Sequence, residues 1–174
     1  MNKKLLMTLI VALLPMVVYS AKSSTLKTPK EIIQAAKSRG AVQVVAELFK
    51  TGAWAKYVSP SISSGEKQWL DVAVVLKPGT DAGASEELND ALSLALLRQP
   101  DLVLPILKNM WWNDSEACTF GWDSEFPNGM TVRTYVNRLE KAVKKSSNKG
   151  TAELRKSCLR GIAKTRKELD ENKQ

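Results

Sequence analysis

The chain has 174 residues, 44% hydrophobic, 25% charged and 6% aromatic, with nine Gly and two Cys. That balance excludes collagen, a disordered polyelectrolyte and a disulfide-dense miniprotein, and the length fits one folded domain. The formal charge is +8 and there is no His, which removes Ser-His-Asp and Cys-His catalysis and His-ligated zinc and leaves carboxylates, Lys, Tyr and two thiols for any chemistry.

The N-terminus reads as a secretory signal. Lys3 and Lys4 form a positive start, and Leu5 to Val18 is an apolar stretch of fourteen residues, too short to span a bilayer comfortably. Val18 and Ser20 place a cleavage site after Ser20, with a second site offered by Ala21 and Ser23. The expected organisation is a signal peptide over residues 1–20 and a single helical domain over 21–174, exported to the periplasm without membrane insertion. No Cys near the site is available for a lipid anchor. In an oxidising compartment two Cys usually pair, so Cys118 and Cys158 are expected to form a disulfide.

Helix signals dominate the mature chain. Thr28-Pro29-Lys30-Glu31 carries a cap, a Pro at the first helical position and a Glu at the third. A helix is predicted there, with Ile32, Ile33, Ala35 and Ala36 inside and Gly40 as its stop. Ala41 to Lys50, with Val42, Val45, Leu48 and Phe49, completes a helical hairpin that ends before Gly52. Trp54, Tyr57 and the Ser/Pro/Gly stretch from Ser59 to Gly65 read as a loop. Glu66 to Leu76, with Trp69, Leu70, Ala73, Val74 and Leu76, is apolar nearly all round and should be central. Its length and Ser64 as a cap favour a helix over a buried strand at Val72 to Leu76.

Ser85-Glu86-Glu87 opens a helix whose Leu88, Ala91, Leu92, Ala95 and Leu96 fall on one face. Gln99-Pro100 ends it, and Pro100 starts another through Leu102, Val103, Ile106 and Leu107, with Pro105 inside. Val132, Val136, Leu139 and Val143 make a further stripe; Leu154, Cys158, Ile162 and Leu169 make the last, after a Ser146 to Gly150 turn with Thr151 as cap. The fold expected is all-α, with six to seven short helices in antiparallel hairpins and one disulfide. The run A-L-L-R-Q-P-D-L-V-L within Leu88 to Leu107, a helix ending in a polar-Pro step before an apolar helix, resembles HEAT-type arrays. The resemblance implies a short stack of helix pairs; a compact irregular bundle is the other arrangement the pattern allows.

Charge is uneven. Thirteen Lys/Arg and five Asp/Glu lie from Arg133 to Gln174, against eleven basic and thirteen acidic residues from Ala21 to Val132. The basic helices suit an anionic surface or an ordinary solvated face, the latter supported by Glu140 and Lys144 at i, i+4 spacing. Trp111 to Phe126 holds five of the ten mature aromatics and four acids with no Lys or Arg. Trp111, Phe120 and Trp122 are expected to plug one end of the helices. Trp112 and Phe126 are the candidate anchors for a protein partner, with Asp114, Glu116, Asp123 and Glu125 meeting its basic groups.

Motifs for chemistry fail on order and spacing. Lys50-Thr51-Gly52 and Ser64-Gly65-Glu66-Lys67 match the K-T-G and S-x-x-K signatures of serine beta-lactamases, but in reversed order on a helical chain. The four acids lack the alternating ligands and central Gly of a calcium loop. No catalytic, metal or cofactor site is therefore expected, and the export signal argues against nucleic acid.

In size, export, helicity and its Cys118 and Cys158 pair, the chain is similar to immunity proteins that neutralise cell-wall-degrading toxins delivered by type VI secretion. The resemblance implies a periplasmic protein-binding module, not an enzyme, whose partner is a peptidoglycan-active toxin. The alternative is a cell-envelope accessory protein that binds anionic surfaces through its basic C-terminal helices. The oligomeric state is open in both.

Overall fold

A computed structural model describes residues 26–110, Cys118 and 129–171. Its described residues contain eight α-helices and no strand, so the protein is all-α. The helices are α1 (Pro29–Arg39), α2 (Ala41–Lys50), α3 (Ser59–Ser63), α4 (Lys67–Leu76), α5 (Ala82–Leu96), α6 (Pro100–Met110), α7 (Val132–Lys145) and α8 (Ala152–Glu171).

The start of α1 follows the sequence. Thr28 accepts from the Glu31 amide, and the Glu31 carboxylate accepts from the Thr28 amide at 3.0 Å, closing a capping box. Gly40, at φ 91°, ends α1 and begins α2, a conformation that costs a residue without Cβ little. The expected loop from Trp54 to Gly65 is instead a π-helical turn, Trp54–Val58, followed by α3. Trp54, Val58 and Ile62 are buried at intervals of four residues, which is a helical stripe. Pro60 lies in the first turn of α3, where a missing N–H costs nothing. This element raises the helix count above the expected six to seven.

Three starts differ from the sequence pattern. Helix α5 begins at Ala82, three residues before Ser85, because the Asp81 carboxylate accepts from the Ala84 amide at 3.0 Å. Ser64 does not cap α4 directly; its hydroxyl accepts from Glu66 N at 3.2 Å and donates to the Ser61 carbonyl at 2.7 Å. Thr151 likewise closes a short 3-10 turn, Lys149–Thr151, ahead of α8.

One apolar core runs through all the helices. Helix α1 packs on α2 and α4, α3 on α5, α5 on α6, and α7 on α8, while α6 touches both halves of the chain. Tyr135 of α7 is buried, and its hydroxyl donates to the Ser93 carbonyl of α5 at 3.4 Å. Burial pushes that phenol well above its ordinary value. Cys118 and Cys158 form the expected disulfide, with Cα atoms 5.1 Å apart and both residues buried.

A polar clamp joins the first turn of α6 to the turn after α7. Pro105 has no N–H to give the carbonyl of Asp101 four residues earlier, and the Asn148 side-chain amide donates to that carbonyl at 3.4 Å. The Asp101 carboxylate accepts from the Ser146 hydroxyl at 2.6 Å and from the amides of Ser147 at 2.9 Å and Asn148 at 3.1 Å. These bonds hold its pKa below the ordinary carboxylate value, the Ser146 hydroxyl contributing most. Lys108 adds a bond to the Gly150 carbonyl at 3.0 Å.

Candidate interaction surface

Helix α4, the turn Lys77–Gly79 and helix α6 enclose an open groove of about 520 Å³. Val74, Pro78, Pro105, Ile106 and Met110 give it apolar walls, and Lys77 and Asn109 supply the polar groups. Its shape begins with Gly79. A Cβ there would overlap the backbone of Ala41 and Val42, lying 2.6 Å from the Ala41 carbonyl oxygen, so only Gly lets the turn sit against the start of α2. Pro78 is thereby fixed at the groove's edge.

The apolar surface continues past the groove. Leu102, Pro105, Ile106 and Asn109 fall on one face of α6 by their i, i+3, i+4, i+7 spacing. Leu102 is 40% exposed, Val74 46%, and Val42, next to the Gly79 contact, 66%. The sequence makes the whole segment Glu66 to Leu76 central, yet Val74 within it faces outward. The all-round apolarity of α4 has this physical reason: the helix carries more apolar faces than its neighbours here cover.

Lys77 is the cation of the groove. Its ammonium donates to the Ser85 hydroxyl at 3.3 Å, and Ser85 and Thr80 share a hydrogen bond at 2.7 Å. Burial lowers the pKa of Lys77, since an ammonium partly withdrawn from water is less favoured in its charged form. The groove therefore pairs apolar walls with one partly buried, hydrogen-bonded Lys.

The outer faces of α7 and α8 carry the second distinctive surface. The expected Glu140–Lys144 pair forms at 2.8 Å, and Arg166 of α8 also binds Glu140, an inter-helix contact that sequence spacing cannot show. These donors, Arg166 foremost, hold the Glu140 carboxyl down at about 2. Arg133 reaches Asp170 at 2.5 Å.

The candidate partner residues Trp112, Asp114, Glu116, Asp123, Glu125 and Phe126 lie outside the described residues, as do Trp111, Phe120 and Trp122. Lys50-Thr51-Gly52 sits at the end of α2, not on a strand, and Lys67 pairs with Asp71 at 2.8 Å while Ser64 is engaged with its own turn. Among the described residues there is no group of three or more metal-ligating side chains, and no helix long and apolar enough to cross a membrane. No family model matches the chain, and no curated protein or solved structure matches it.

Proposed function

We propose that this chain is an exported protein-binding module that neutralises a cell-wall-degrading enzyme, as an immunity protein does. The observation that carries the reading is the apolar face formed by Val74, Pro78, Leu102 and Ile106 around the Lys77 groove. Scattered exposed hydrophobics are ordinary on a soluble protein, whereas apolar side chains gathered on one rigid face suit a partner that covers them. The face extends along α6 to Leu102, which does not line the groove, and so beyond what a small molecule in the groove would cover, which favours a macromolecule. The Cys118–Cys158 bridge suits an oxidising compartment.

The test starts from the gene neighbourhood. An exported hydrolase encoded beside this gene is expected to lose its peptidoglycan-digesting activity when mixed with the mature chain beginning at Ala21. Val74→Glu and Leu102→Glu, both at exposed positions, should each weaken the inhibition without lowering the melting temperature. Absence of any such neighbour, or undiminished digestion at saturating parent protein, overturns the reading.

A further inference from the structure

The cations of the C-terminal hairpin are not all answered by carboxylates. Its five acids, Glu140, Glu153, Glu168, Asp170 and Glu171, each pair with a Lys or Arg within the hairpin. On α8 this laces the outer surface with opposite charges: Lys156 with Glu153, Lys164 with Glu168, and Lys167 with Glu171. Helix α7 differs. Arg138, Lys141 and Lys145 are exposed, form no ion pair with any described residue, and fall on one face by their i, i+3, i+7 spacing. Among the described residues, the one side-chain hydrogen bond of the three runs from Arg138 to the Met130 sulfur at 4.0 Å.

Helical rise sets these three positions about 4.5 and 6 Å apart along the axis, in single file. A row of that kind matches charges carried along a chain. A bilayer presents charge over a plane and would engage a broad basic face, but on the neighbouring face of α8 Lys156, Lys164 and Lys167 are each paired with a carboxylate, and of its exposed cations Arg160 alone has no ion pair with a described residue. The row is also separate from the apolar groove, whose walls come from α4, the Lys77–Gly79 turn and α6. We infer that Arg138, Lys141 and Lys145 form a binding track for a linear polyanion bearing phosphates, distinct from the protein-binding face.

Binding of end-labelled inorganic polyphosphate to the mature chain, followed by fluorescence anisotropy, tests this directly. With three phosphates neutralised, raising the salt concentration fivefold should weaken binding about 30-fold. The combined variant Arg138→Gln, Lys141→Gln, Lys145→Gln should lose binding, whereas Lys156→Gln, Lys164→Gln, Lys167→Gln on α8, which removes only cations paired with carboxylates, should retain most of it. If the first triple variant melts early, Lys141→Gln and Lys145→Gln alone should each lower the salt slope by about one third. The inference fails if polyphosphate does not bind at low salt, or if the α7 variants bind as tightly as the parent. It also fails if vesicles rich in phosphatidylglycerol or soluble polyglutamate bind more tightly than polyphosphate, which would point to a lipid surface or an acidic protein instead.

Discussion

Helices α1 to α6 and the hairpin of α7 and α8 bury apolar side chains in one core, yet they meet solvent with different chemistry. Residues 26–110 hold ten Lys/Arg and nine Asp/Glu, and every large hydrophobic side chain that is exposed among the described residues belongs to this part: Val42, Phe49, Val74 and Leu102. Residues 129–171 hold twelve Lys/Arg and five Asp/Glu and leave no large hydrophobic exposed. The near-neutral half thus offers contact area that water disfavours, and the basic half offers field without adhesive surface. Recognition by burial and recognition by charge are separated along the chain, and α6 links them through Asp101.

Removing the disulfide breaks the comparison most severely. The bridge closes a loop with 40 residues of sequence separation, so a Cys118→Ser, Cys158→Ser variant should lose about 4 kcal/mol in denaturant titration on the loop-closure argument. Hydrogen exchange should quicken more in α8 than in α1 or α4, because the bridge is anchored on α8. An unchanged midpoint would show that the basic half is held by its core packing alone.

Gly79→Ala should come next, costing about 2 kcal/mol as an overpacked contact. The loss should be confined to the apolar half, where the turn must move off α2 and spoil the groove. A partner that binds through the groove should then bind more weakly than the stability change explains.

Acid should act on the polar contacts within the α7–α8 hairpin and on those that join it to α6. The Glu140 carboxyl is held at about 2 against an ordinary 4.5, and Asp101 is likewise lowered. A carboxyl with a lowered pKa in the folded chain stabilises it fully above the ordinary value, and that contribution is lost as pH falls towards the folded value. Melting temperature should therefore decline from pH 4.5 down to about 2, and Glu140→Gln should flatten part of the decline. Asp101→Asn should flatten another part and release the Ser146–Asn148 turn, seen as faster amide exchange at Ser147 and Asn148. The smallest effect belongs to Arg138, Lys141 and Lys145. Replacing all three with Gln should leave the melting temperature within the narrow range expected of exposed sites.

Local signals made most of the architecture legible. The capping box at Thr28, the stop at Gly40, the Gln99-Pro100 step and the stripe through Val136, Leu139 and Val143 each depend on residues close in sequence, and each stands in the structure. The failures share a cause. Ser59 to Gly65 was read by its turn-forming residues, and the stronger signal was the burial of Trp54, Val58 and Ile62 four residues apart. The groove was invisible because it depends on which apolar residues remain uncovered after packing, and periodicity alone cannot separate Val74 from Leu70. The clamp on Asp101 was missed for the same reason, since its donors lie about 45 residues away. The Cys118–Cys158 bridge was readable because only one pairing exists.

The most direct measurement is calorimetric titration of the protein with a wall hydrolase encoded beside its gene, repeated with Val74→Glu and Leu102→Glu. The parent should bind, and each substitution, placing a charge on the apolar face, should weaken binding by about 2 kcal/mol, or roughly 30-fold, at an unchanged melting temperature. Equal affinity for parent and variants, or no heat of binding from the parent, would contradict the claim that this face receives a protein partner.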